Sequence, residues 1–178
     1  MKLSRVYYII PLLIYLSFFI NSCTEEIPNP SEQPKVLKFS ELMNPTGFGY
    51  KWFPPNYNEY QPDTNIVKQI ADAFAKNPCR FYIYVNPSCA CNATQKQFPS
   101  IVKSLTSANI DASKFEMYSM NSTDDNNPYS KILKVMRLPS CFIIRGGAAV
   151  YSVTDTLTFY EEDKNYLIEE VILIGLKK

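Results

Sequence analysis

Residues 81–107 read FYIYVNPSCACNATQKQFPSIVKSLTS. The first five, Phe81-Tyr-Ile-Tyr-Val85, are aromatic or β-branched and carry no charge. Such a run suits a central strand buried on both faces, because polar alternation is needed only where one face meets water. Asn86-Pro87-Ser88 stops it: proline lacks the amide a ladder requires, and Asn and Ser bond locally to backbone. From Ala93 to Ser107, Phe98, Ile101, Val102 and Leu105 form one apolar stripe of an amphipathic helix. Pro99 falls inside that helix and is expected to kink it. Cys89 and Cys91 occupy the joint between strand and helix.

Before this unit, Asn65 to Lys76 predicts a helix with Ile66, Ile70, Ala73 and Phe74 on one face, capped by Asp63 or Thr64 and ended by Asn77-Pro78. After it, Phe115 to Met120 predicts a strand, residues 121–128 a polar loop, and Tyr129 to Met136 a short helix. Cys141 to Arg145 and Ala149 to Val153 predict two strands joined by Gly146-Gly147 as a hairpin. The last helix is expected to start at Thr158, where Thr158-Phe-Tyr-Glu161 matches a capping box, with Leu167, Ile168, Val171 and Ile172 as its buried stripe. A strand-helix-strand crossover implies parallel pairing and a hairpin antiparallel pairing. The fold class is therefore α/β, a mixed sheet with helices on both faces.

The segment Val85-Asn-Pro-Ser-Cys89-Ala-Cys91, and Arg137-Leu-Pro139-Ser140 directly before a later strand, together resemble the thioredoxin superfamily over residues 64–178. In that family a cysteine motif opens the helix after the central strand, and a cis-proline before an antiparallel strand lies against it. The resemblance implies a thioredoxin-like sheet, a cis bond before Pro139, and a substrate strand aligned by backbone beside that proline, at Leu138. The family pattern is Cys-x-x-Cys and this chain has Cys-x-Cys, so two registers arise. Either Cys91 takes the second cysteine position and Ser88 the first, which strand-to-motif spacing favours, or Cys89 takes the first and the motif is one residue shorter. The family's buried acidic residue has no counterpart in Phe81–Val85, so proton transfer from the resolving thiol needs water or another group.

A helix N-terminus offers partial positive charge and free amides, which lower a thiol's pKa. On that ground Cys89, read as nearer the helix start and nearer solvent, is expected to attack, and Cys91 to resolve. Cα atoms two residues apart reach at most about 7 Å, overlapping the disulfide range of about 4.4–6.8 Å. In a helix such positions point about 200° apart, so residues 89–91 are expected to be non-helical when oxidised. A ring this small is expected to be strained and easily reduced, giving oxidant or isomerase character. Cys79 and Cys141 are expected to be buried structural thiols that do not pair, about 20 Å apart along the strands, with Cys141 the one to approach the motif.

Histidine is absent from all 178 residues. That excludes Ser-His-Asp and Cys-His catalysis and His-ligated metals, but not thiol-disulfide exchange. Formal net charge is +1, and loss of residues 1–22 with Lys2 and Arg5 leaves 1 − 2 = −1. Nothing in this balance points to nucleic acid as a partner. Lys2 and Arg5 followed by the apolar stretch Tyr7–Ile20 suit a signal peptide, since a spanning helix needs about 20 apolar residues. Ile20-Asn21-Ser22-Cys23 resembles a lipobox, with Asn21 larger than the usual small residue. The chain thus reads as residues 1–22, a lipoprotein signal peptide; 23–40, a tether; 41–63, an aromatic-rich extension; and 64–178, a thioredoxin-like domain. Acyl groups on Cys23 would hold it to a membrane of the cell envelope. Glu25 and Glu26 resemble the export signal of surface lipoproteins in Bacteroidetes-type bacteria. Phe48, Tyr50, Trp52, Phe53, Tyr57 and Tyr60 crowd the extension without a regular period; this is either a wrap on the core or an aromatic surface for a partner polypeptide.

Three functions are compatible with these residues. The leading one is an envelope oxidoreductase or isomerase acting on protein thiols or disulfides through Cys89, Cys91 and Pro139, without a cofactor. The second is a non-catalytic binding domain, favoured by Ser88 and the aromatic extension. The third is a Cu(I)- or zinc-binding module using paired thiolates.

Overall fold

The run at residues 81–85 forms the middle of a five-stranded mixed sheet. The computed structural model describes residues 34–46, 49–89, 91–161 and 166–178. Residues 1–22, expected to be a signal peptide, Cys23, the part of the expected tether up to residue 33, and Phe48 lie outside the described residues. The strands are β1 (Lys35–Leu37), β2 (Arg80–Val85), β3 (Phe115–Ser119), β4 (Ser140–Arg145) and β5 (Ala148–Ser152). The helices are α1 (Phe39–Met43), α2 (Phe53–Glu59), α3 (Thr64–Lys76), α4 (Asn92–Ser107), α5 (Val153–Glu161) and α6 (Ile168–Leu176). The sheet order is β1-β3-β2-β4-β5. β2 and β3 are parallel across the α4 crossover, and the other pairs are antiparallel. This is the α/β mixed sheet expected from the sequence, and it is compatible with a thioredoxin-like fold.

Every residue from Phe81 to Val85 is buried. Phe81, Ile83 and Val85 enter one apolar cluster with the buried residues of all six helices, among them Leu42, Phe53, Ile70, Phe98, Leu157 and Ile172. Tyr82 and Tyr84 enter a second cluster with Tyr118, Met120, Leu133, Val135, Phe142 and Ile144. The segment after β3 covers that second face, and the helix expected over Tyr129–Met136 makes a single turn. Tyr129 N donates to Asn127 Oδ1 at 2.9 Å, and Ile132 N and Leu133 N both donate to the Tyr129 carbonyl. From there Leu133 and Val135 are buried while Lys134 and Met136 are exposed. That alternation of period two fits an extended chain laid on a sheet and cannot be met by a helix.

The hydroxyls of Tyr118 and Tyr129 donate to Glu116 Oε2 at 2.6 and 2.7 Å, and Arg80 forms an ion pair with the same carboxylate. The Tyr82 and Tyr129 rings stack at 3.9 Å.

The chain ahead of residue 64 departs most from expectation. Lys35–Leu37, read as tether, pairs with the free edge of β3, placing Val36 opposite Tyr118 and Leu37 opposite Met117. An unpaired edge is a ready template for a further strand. The extension wraps the core, the first of the two arrangements its aromatic residues allow. Phe53 is fully buried, its ring 5.2 Å from that of Phe98 and stacked on Tyr57 at 5.6 Å. Pro54 and Pro55 occupy the first turn of α2, where a missing amide costs no hydrogen bond. Tyr57 meets the Thr106 hydroxyl at 2.7 Å. Tyr60 donates to the wholly buried Glu169, which also accepts the Asp63 amide at 2.9 Å. Phe53, Tyr57 and Tyr60 thus serve the chain's own interior rather than a partner surface.

At the C-terminal end, the expected capping box at Thr158 is not a helix start. β5 ends at Ser152, whose hydroxyl accepts the Asp155 amide at 3.4 Å, and α5 begins at Val153. Thr158 lies inside α5 and donates to the Thr154 carbonyl. The N-cap of α6 is Leu167, whose amide donates to the Glu170 carboxylate at 2.8 Å. Leu167 is therefore exposed rather than part of the buried stripe, while Ile168, Val171 and Ile172 are buried. Gly175 lets α6 lie close on the sheet: a Cβ there would fall 2.6 Å from Ile143 Cδ1 and against the Tyr151 ring. Gly175→Ala should therefore lower the urea midpoint, since overpacking costs about 1–3 kcal/mol of folding free energy and outweighs the helix preference of alanine, about 1 kcal/mol. A raised midpoint would contradict this packing.

Candidate active site at the Cys89–Cys91 disulfide

Asn86 builds the turn that leaves β2. Its Oδ1 accepts the Ser88 amide at 2.8 Å, its carbonyl accepts the Cys89 amide at 3.4 Å, and its Nδ2 donates to the Asn121 carbonyl at 2.9 Å. The loop is thereby fixed to the chain following the parallel neighbour β3. Cys89 and Cys91 form a disulfide with Cα atoms 5.2 Å apart. Cys91 is extended, at φ −72° and ψ 140°, and α4 begins only at Asn92. The pair is non-helical, as its spacing requires.

The two sulfurs are not placed as expected. Cys91, not Cys89, is the N-cap of α4, next to its free amides, and Cys91 is the exposed one while Cys89 is half-buried. The reason is the length of the Asn86 turn, which consumes Pro87 to Cys89 before the helix can open. Cys91 N donates to Cys89 Sγ at 3.2 Å. Ser88 is exposed in the turn, outside the helix start.

Thr94 was not singled out in the sequence. It is fully buried, and its hydroxyl lies 3.0 Å from Cys91 Sγ. A disulfide sulfur carries no hydrogen, so the hydroxyl donates. A side chain three residues past a helix N-cap can turn back toward the N-cap residue. That spacing was the available clue.

The Leu138–Pro139 bond is cis and Pro139 is buried. Ser140 pairs with Tyr84, so Pro139 follows at the level of Val85, at the end of the sheet where the cysteine loop departs. The Ser140 hydroxyl donates to the Arg137 carbonyl at 2.6 Å and closes the turn. The Leu138 side chain packs on the Tyr82–Tyr84 cluster. The N-terminal extension reaches the same place: a Cβ on Gly49 would stand 3.2 Å from Pro87 Cβ.

Cys79 and Cys141 are free and buried. Cys141 lies opposite Ile83, four residues along the strand from Cys79, so the two are closer than the six-residue separation expected. Burial raises the Cys79 thiol to about 11, with Arg145 pulling modestly the other way, and burial also raises Cys141. Both are therefore neutral and unreactive near neutral pH. Among the described residues, no three of His, Cys, Asp and Glu gather as a metal site. No helix among them is long and apolar enough to cross a membrane.

Compared with known protein families, curated proteins and solved structures, the chain matches none. Its function has to be argued from this site alone.

Proposed function

We propose that the protein is a thiol-disulfide oxidoreductase or isomerase of the cell envelope, thioredoxin-like in its domain and anchored through a lipid on Cys23, acting on protein thiols or disulfides. The observation that carries this reading is the Cys89–Cys91 disulfide at the start of α4, with Cys91 an exposed residue and the N-cap of that helix. Cis-Pro139 at the same end of the sheet supports it.

In the oxidising direction, a substrate thiolate attacks the exposed Cys91 sulfur. The Cys89–Cys91 bond breaks, and Cys89 leaves as a thiolate that takes up a proton. A second substrate thiolate then attacks the substrate sulfur of the mixed disulfide and expels Cys91 as a thiolate. The substrate loses two electrons and the cysteine pair gains them; of the two protons the substrate thiols release to water, one is taken up by Cys89 and the other stays in solution while Cys91 remains a thiolate. Helix amides stabilise the sulfur expelled last. Reversal of these steps reduces a substrate disulfide, and one round of each isomerises it.

A redox titration of the full chain against glutathione tests this. Wild type should show a two-electron couple; Cys89→Ser and Cys91→Ser should each lack it. Cys89→Ser should retain a mixed disulfide on residue 91. Absence of any couple requiring both residues would end the reading.

A further inference from the structure

The family spacing of Cys-x-x-Cys is present in this chain in a form that its two cysteines conceal: Cys91-Asn-Ala-Thr94. The first position is the N-cap sulfur and the second is a hydroxyl. We propose that Thr94 is a catalytic residue of this site, a fixed donor that holds Cys91 as the exchanging thiolate and leaves resolution to Cys89 on the loop. The inference rests on the redox reading above.

Three observations carry it. Thr94 is polar yet wholly buried, and its hydroxyl is aimed at Cys91 Sγ at 3.0 Å. A β-branched side chain in a helix has few χ1 choices, so burial fixes that direction. In the oxidised protein the acceptor is a neutral sulfur and the bond is weak. Once Cys91 is a thiolate the same bond becomes charge-assisted and roughly twice as strong. Thr94 therefore favours the state in which Cys91 carries charge, on top of what the helix terminus supplies.

The second consequence is directional. In a Cys-x-x-Cys arrangement the resolving sulfur comes from three residues inside the helix. Here that position holds an oxygen that cannot form a disulfide. When Cys91 bears a substrate, the available resolving sulfur is Cys89, on the opposite side of the N-cap. Its thiolate attacks Cys91 Sγ, the bond to the substrate breaks, and the substrate sulfur leaves as a thiolate and is protonated. The Cys91 amide, 3.2 Å from Cys89 Sγ, holds that sulfur within reach of its target.

The test follows carbamidomethylation of Cys91 by iodoacetamide between pH 4 and pH 9, in the full chain carrying Cys89→Ser, with the site read by peptide mass. Thr94→Val removes the donor at nearly constant shape. It should move the midpoint of the rate profile up by about one pH unit, and slow modification about tenfold below the midpoint. Thr94→Ser should keep the original profile. If Thr94→Val does not fold, Thr94→Ser and Thr94→Ala form a pair differing only in the hydroxyl, and the same shift should separate them. Identical profiles with and without the hydroxyl would overturn the proposal. The two-electron couple is measured separately in the chain with both cysteines, so loss of that couple refutes the redox reading, whereas an unmoved alkylation profile refutes the role of Thr94.

Discussion

Phe53→Ala should cost about 3–5 kcal/mol of folding free energy, the range for deleting a buried aromatic ring from a packed core. The residue lies in a segment with two consecutive prolines and no regular period, eleven positions ahead of the expected domain start at residue 64. A surface change in a loose arm would move stability by no more than about 0.5 kcal/mol. The packing argues for the larger number. Phe53 is fully buried and its ring meets those of Phe98, Tyr57, Trp52 and Phe39 within 6.4 Å. Phe98 belongs to α4, the helix whose N-cap is Cys91, so the lost packing falls on the element that positions the site. Equilibrium urea unfolding of the full chain checks the size. A change below 1 kcal/mol would mean that α2 is an appendage and that the domain does begin at residue 64.

What the sequence made legible follows where local chemistry and tertiary demand agree. Phe81–Val85 reads as a covered strand because a short uncharged run of aromatic and β-branched residues, stopped by Asn86-Pro87, is too short for a buried helix. Asp63 caps α3 through Oδ1 to Asn65 N and Ile66 N, as its position ahead of an apolar stripe requires. The hairpin at Gly146-Gly147 is equally local: both glycines have positive φ, 55° and 78°. The misses are tertiary. Nothing in Lys35-Val-Leu37 marks a strand until β3 offers an unpaired edge. Nothing in Tyr129–Met136 forbids a helix until Leu133 and Val135 must both reach the same tyrosine-lined face. At the site, the strand end, the cysteine pair and Pro139 were readable, since each is marked by local sequence: Asn-Pro-Ser directly after an apolar run, two cysteines one residue apart, and a proline directly before a strand. The order of the sulfurs was not. Which cysteine becomes the N-cap depends on how many residues the Asn86 turn consumes, and one of the bonds that hold that turn reaches the Asn121 carbonyl, thirty-five positions away in sequence.

Alkaline pH should unfold the protein earlier than its charge balance suggests, with stability beginning to fall near pH 9. Burial raises Cys79 from 9.0 to about 11 and Tyr50 from 10.0 to about 12. Tyr118 is also raised to about 12, by burial and then by its bond to Glu116, which accepts only from the protonated phenol. Tyr60, Tyr84, Tyr129 and Cys141 move in the same direction, each with burial as the leading cause. The sign follows from linkage. All of these groups hold their protons longer in the folded chain than in the unfolded one, so the unfolded state binds fewer protons as pH rises and folding stability falls. The contribution is complete below the unfolded values near 9 and 10. It is lost progressively as pH climbs toward 11 and 12, with Cys79 first and the tyrosines after it. Urea midpoints measured from pH 7 to pH 11.5 should therefore stay level and then drop. The double variant Cys89→Ser, Cys91→Ser keeps disulfide scrambling out of the measurement. Adding Cys79→Ala and Cys141→Ala together should delay the onset by about one pH unit, to where the tyrosines of the unfolded chain begin to ionise. A midpoint that stays level through pH 11 would mean that water reaches these phenols and thiols, and that the tyrosine-lined face beneath residues 121–138 is open rather than covered.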